Sequence, residues 1–210
     1  MVEIAPPPPK ILPVKPALYS INEDKCLVRI FDPTRHNTNA LSFRYYGSLE
    51  RFDHQRYSRD APATDEKRGI YYAGFTLSCC LVEVFGDKRT IEVGNYCVAQ
   101  VGLTRPLSLL DLCGTPAMTN GTVYALSSIS ERDISQSWSR YFYDKHNTYT
   151  SVDGIIYHNA HNSEQSVALY ERATDALSCS PSDVMPLNHR ALRTEIRKVA
   201  EEHGLIVIDY

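Results

Sequence analysis

Six side chains scattered along the sequence are of types that could share one chemical task. Arg29 sits in "KCLVRIF", Arg51 in "RYYGSLERFDHQR", Tyr71 and Tyr72 in "GIYYAG", Glu83 in "FTLSCCLVEVFG" and Asn159 in "GIIYHNA". Arginine forks grip the paired oxygens of a pyrophosphate. A tyrosine ring offers a face on which a planar heterocycle stacks. One carboxylate can stabilise a sugar cation as its glycosidic bond breaks. Together these groups are equipment for cleaving a nucleotide at its N-glycosidic bond, with NAD the obvious substrate. A hydroxyl or thiol nucleophile with an adjacent base is not legible in the set, which argues against acyl transfer.

Each of these residues also has a plainer reading. Glu83 lies in a run that is apolar all round, where a carboxylate needs a partner or a cavity. It is either half of a structural ion pair with one arginine or the floor of a pocket. The stretch from Arg44 to Arg56 crowds three arginines among aromatic rings. It suits a nucleic-acid contact, an anionic small-molecule site or a solvated turn. Arg44 and Arg56 fit the last of these as well as a ligand contact. The net charge of −3 speaks against direct nucleic-acid binding, which usually brings a basic excess. His158 and His161 form an H-x-x-H pair, but they follow a strand, where positions i and i+3 point to opposite faces. No metal site is expected. Asp153 before Gly154 reads as a turn residue.

The elements that must position these groups follow from local pattern. The 210 residues, 43% of them hydrophobic, suggest one domain with a substantial core. Residues 1–16 are proline-rich and read as an arm, extended over the domain or mobile; residues 17–210 form the domain. Strands are expected at Lys25–Phe31, in "LSFRYYG" and at Gly69–Gly74, with a polar loop over 51–68. Phe75–Gly86 reads as a core helix capped by Thr76 and stopped by Gly86. Two strands follow in "TIEVGNYCVAQVGL" and "LSLLDLCG". "SERDISQSWSRYFYDK" fits a helix with Ser130 as its N-cap. "VDGIIYHNA" and "SVALYERA" read as neighbouring strands. "NHRALRTEIRKVAEEHG" is an amphipathic helix with Leu192, Ile196 and Val199 on one face, and "LIVIDY" is a last strand. The class is α+β, a single compact domain whose sheet is mixed or antiparallel. The six cysteines show no C-x-x-C spacing and are expected to be reduced and structural. No apolar run nears the roughly 18–20 residues of a membrane span, and no signal peptide is legible. A cytoplasmic location without membrane contact is expected.

The order "LVRIF", "GSLERFDH", "RGIYYAGFTLSCCLVE", "DGIIYHNA" and "ALYE" resembles the RES domain family, over roughly residues 25–172. That family includes toxins of RES–Xre toxin–antitoxin systems that consume NAD, with a fold similar to ADP-ribosyltransferases. The resemblance implies catalytic roles for Arg29, Glu83 and Asn159. It implies substrate contacts for Arg51 and Tyr72, with Tyr71 as the register alternative. The family's third residue is a serine, where this chain has Asn159. An amide can still orient a substrate, and Ser163 four residues on could supply a hydroxyl. The implied activity is hydrolysis or phosphorolysis of the nicotinamide–ribose bond. NAD is then substrate rather than cofactor, inorganic phosphate is a potential co-substrate, and an Xre-type helix-turn-helix antitoxin is the partner. ADP-ribosyl transfer to a macromolecule, or a non-catalytic module that binds NAD or a partner, are the alternatives. Self-association is left open by the sequence.

Overall fold

The computed structural model describes residues 4–149 and 151–208. In chain order the elements begin with strands β1 (Leu18–Ile21), β2 (Leu27–Phe31), β3 (Tyr46–Gly47), β4 (Ala63–Thr64) and β5 (Ile70–Gly74), then helix α1 (Leu77–Phe85). Strands β6 (Thr90–Glu92), β7 (Cys97–Leu103) and β8 (Leu107–Asp111) lead to helices α2 (Thr115–Thr119), α3 (Arg132–Asp144) and α4 (His146–Tyr149). The chain closes with β9 (Gly154–His158), β10 (Gln165–Tyr170), β11 (Leu177–Ser178), β12 (Val184–Pro186), α5 (Arg193–His203) and β13 (Ile206–Ile208). The class is the expected α+β.

Nine strands form the main sheet in the order β1-β8-β9-β10-β5-β2-β7-β11, with β12 also on β7. Every pair is antiparallel except β8 with β9, so the sheet is mixed. It curls on itself. Ile21, Leu27, Tyr71, Val101, Leu109 and Val167, from six strands, meet in one buried cluster. The other face of β9 and β10 packs against α3 through Ile155, Tyr157 and Tyr170 with Trp138 and Phe142. A third cluster joins α1 to α5 through Leu81, Phe85, Ile196 and Val199. With both faces covered, β9 and β10 read as continuous apolar runs rather than alternating ones.

Local chemistry explains the strand–helix unit at the centre. β5 ends at Gly74, where a Cβ would lie 2.7 Å from the Cys79 sulfur; only glycine lets the helix start this close. Thr76 caps α1 by accepting the Cys79 amide at 2.9 Å. The helix at Arg132 is preceded by Glu131 rather than by the expected Ser130, and no side chain caps it; the Ser130 hydroxyl turns instead to the Glu131 carboxylate at 2.8 Å. The start of the proline-rich segment touches the domain, while Ile11, Leu12 and Val14 further along it are exposed. Ile4 packs on the α3 cluster, and the Trp138 indole donates to the Ala5 carbonyl at 2.9 Å. Residues 1–3 of that arm, and the last two residues of "LIVIDY", lie outside the described residues.

Candidate active site

β2 and β5 pair at a single position, Val28 with Gly74. Each is held along five residues by its other neighbour, β7 and β10 respectively. The two strands therefore part, and a cleft of about 800 Å³ opens between them under α1. Glu83, Arg29, Arg51 and Tyr72 all line it, so four of the six sequence candidates share one cavity.

Helix α1 buries Cys79, Cys80, Leu81, Val82 and Phe85. Glu83 and Val84 are exposed and face the cleft. This corrects the expectation of a helix buried all round: one edge of it forms a cleft wall. The Glu83 carboxylate makes no hydrogen bond or ion pair with any described residue, which removes the structural ion-pair reading. Its carboxyl is pushed up to about 7, mainly because the cleft walls strip water from it, with Glu50 and Asp87 adding to the rise and Arg51 opposing it. A group open to solvent through the cleft mouth can still lose hydration on its walled sides.

Arg51 stands on a turn that Asp53 organises. Asp53 is fully buried. It accepts the Leu49 and Glu50 amides at 2.6 and 2.9 Å, both Arg44 guanidinium nitrogens at 2.9 and 2.8 Å, and the Tyr72 hydroxyl at 2.9 Å. Arg51 itself donates to the Ile129 carbonyl. Arg44 is thus committed to Asp53, and Arg56 to Asp65 at 2.8 and 2.6 Å. Neither lines the cleft; of the three arginines in that stretch, only Arg51 does.

Successive residues of β5 point to opposite faces, which separates the two tyrosines. Tyr72 presents its ring to the cleft, its hydroxyl spent on Asp53 and on the Phe52 amide at 3.0 Å. Tyr71 is fully buried, bonds the Ala40 carbonyl at 2.8 Å and is absent from the cleft wall. It acts as a base plate: the Arg29 guanidinium sits 4.2 Å over its ring and donates to the Ser42 carbonyl at 2.7 Å. Burial draws the Arg29 pKa down, and the Tyr71 beside it pulls it back.

Asn159 is not brought to the cleft. Strand β9 ends at His158, and the chain turns. The Asn159 side-chain oxygen accepts the His161 and Asn162 amides, both at 2.9 Å. Its nitrogen donates to Asn162 Oδ1 at 2.7 Å and to the Cys79 sulfur at 3.4 Å. All of its capacity is used in fixing this turn. Ser163, in the left-handed region at φ 61°, does not line the cleft either.

Tyr157, Ser166 and Arg132 are among the cleft residues not singled out from the sequence. Tyr157 and Ser166 lie side by side on β9 and β10, in register. Period-two alternation back from Asn159 would have reached Tyr157. Arg132 arrives from the start of α3, paired with the Glu50 carboxylate and with the Leu49 carbonyl at 3.2 Å. No local pattern marks it. Among the described residues no group of three or more His, Cys, Asp or Glu side chains could hold a metal. No described helix is long and apolar enough to cross a membrane.

A curled mixed sheet, split to admit a cleft walled by arginines and one carboxylate-bearing helix, defines the class of fold and site. The chain belongs to the RES domain family, whose model matches residues 27–193. Among solved structures, a chain of the M. tuberculosis MbcT–MbcA toxin–antitoxin complex is similar in fold. The TM-score is 0.53 at 15% identity, over 85% of this chain and 92% of that one. Among curated protein sequences no match is found.

Proposed function

We propose that the chain is an NAD-consuming enzyme of the toxin type, which cleaves the nicotinamide–ribose bond with water or inorganic phosphate as acceptor. The observation that carries this reading is Glu83: a carboxylate with no protein partner among the described residues, open to a cleft that also presents three arginines and a tyrosine ring. In the reaction the C1′–N bond breaks and its electron pair goes to the ring nitrogen, which leaves as neutral nicotinamide. The ribosyl cation left behind faces the Glu83 carboxylate. The acceptor oxygen then bonds to C1′, and its proton is released. With a pKa near 7, Glu83 is partly protonated before substrate arrives, and the positive charge of the nicotinamide ribosyl group favours its ionised form. Arg29, Arg51 and Arg132 are placed to share the pyrophosphate charge. Tyr72, with its hydroxyl already committed, has its ring free for stacking.

Family membership supports the NAD reading, and the likeness to a chain of a toxin–antitoxin complex supports a protein partner. We assign that partner to the Xre-type helix-turn-helix class. The test is incubation of the purified protein with NAD, and quantification of free nicotinamide with and without added phosphate. Release accelerated by phosphate, with ribose-1-phosphate ends on the product, selects phosphorolysis. Release independent of phosphate selects hydrolysis. No release from the wild-type protein refutes the enzyme reading.

A further inference from the structure

The cleft floor holds a hydroxyl that the candidate set lacks. Ser166, on β10, is cross-strand neighbour to Gly74 on one side and Tyr157 on the other. Residues in register share a face of the sheet, so these three form a row beneath α1. All three line the cleft with Glu83. Gly74 carries no side chain, and the Cys79 and Cys80 sulfurs close over it.

Ser166 is 2% exposed, and its side chain bonds that of Tyr157 and, weakly, a thiol. Its hydroxyl lies 3.1 Å from the Cys79 sulfur, and thiols are poor donors and acceptors. Cys79 already has the Gln165 carbonyl at 3.4 Å as an acceptor. The Tyr157 hydroxyl lies beside Ser166 and Glu83; burial raises its pKa well above 10, with Ser166 opposing the rise. A sugar hydroxyl can therefore displace the sulfur contact at small cost and find a serine and a tyrosine hydroxyl on the same floor. Asn159 and Ser163 cannot compete for this role: the first is saturated within its turn and neither lines the cleft.

We propose that Ser166 is a substrate-contacting residue which holds the 2′-hydroxyl of the nicotinamide ribose beside Glu83. This rests on the NAD reading above. The 2′-hydroxyl is on the carbon next to C1′, so a floor group beneath the helix whose carboxylate faces C1′ is placed to meet that hydroxyl.

The experiment measures nicotinamide release and calorimetric binding with NAD and with the analogue lacking that 2′-hydroxyl. The proteins are wild type, Ser166→Ala, Ser166→Cys and Ser163→Ala. Ser166→Ala lowers kcat/KM for NAD about three- to tenfold, as loss of one neutral hydrogen bond should, and shows no further loss on the analogue, because the contact is already absent there. Ser163→Ala behaves as wild type. Equal kinetics of Ser166→Ala and wild type on NAD, or the same penalty on NAD and analogue, overturns the proposal. Where the alanine variant fails to fold, Ser166→Cys keeps the volume, loses the strong hydroxyl and must show the same selectivity. Where wild type releases no nicotinamide, the activity reading fails and binding decides. NAD held three- to tenfold more weakly by the variant, with the analogue held equally, supports Ser166. Equal NAD affinities overturn it, and no NAD binding to wild type overturns both.

Discussion

The Tyr72 hydroxyl donates to the Asp53 carboxylate at 2.9 Å across 19 residues of sequence, and so ties the strand under the cleft to the turn that carries Arg51. The same oxygen accepts the Phe52 amide at 3.0 Å. The strand that presents Tyr72 and the turn that carries Arg51 are therefore fastened to each other. Tyr72→Phe keeps the ring and removes both bonds. Leaving the buried Phe52 amide without its partner costs about 1–3 kcal/mol. Thermal denaturation should show a melting point lowered by several degrees, and KM for NAD should rise while the pH dependence of kcat stays in place.

Glu83→Gln keeps the volume and removes only the charge. NAD turnover should fall by at least a hundredfold, since a carboxylate facing a developing cation supplies several kcal/mol and about 1.4 kcal/mol is a factor of ten. Turnover within threefold of wild type would remove Glu83 from the mechanism.

The pH dependence follows from the same residue. The folded-state pKa of Glu83 is raised from 4.5 to about 7, so the fold favours the neutral acid. As pH rises from about 4.5 through 7, the folded state gives up a proton that the unfolded state has already lost, and stability falls across that window. Activity runs the opposite way, because the ionised form faces the cation. A plot of kcat/KM should rise with pH through a limb near 7. Glu83→Gln should abolish that limb and should lose less stability than wild type between pH 5 and 8 in denaturant titrations.

Arg51→Lys keeps the charge but loses the planar fork. One Arg51 nitrogen is held by the Ile129 carbonyl, which aims the rest of the group at the cleft; a lysine cannot hold that contact and a phosphate with the same geometry. Calorimetry should show NAD affinity weakened about tenfold. Unchanged affinity would leave Arg29 and Arg132 as the phosphate contacts.

Asn159→Ala should act first on stability. Its amide makes four bonds within the turn and to Cys79, and a serine cannot span the same set. Both Asn159→Ala and Asn159→Ser should lower the melting point by several degrees at unchanged kcat for the folded protein. A wild-type melting point with a fallen kcat would instead put Asn159 in contact with substrate.

The sequence by itself determined the strand–helix unit from Gly69 to Gly86 and the residue types on it. An apolar run, a capping threonine and a stopping glycine act within a few residues of one another, so local physics suffices. It also determined the α+β class and marked Arg29, Arg51 and Glu83, because the order of motifs is written along the chain. Whether α1 opens at Glu83 was not legible: one carboxylate in an apolar run fits an ion pair as well as a cleft, and the opening depends on β2 and β5 parting after one shared pair. Nor was the choice between Tyr71 and Tyr72, since alternation separates their faces without saying which one meets the cleft. Asn159 was matched by its place in the motif "DGIIYHNA", but the strand stops one residue earlier and a turn redirects the side chain. Ser166 takes the floor because β10 lies beside β5, and Arg132 reaches Glu50 across 82 residues. Such contacts exist only once the chain has closed, and nothing local to either partner encodes them.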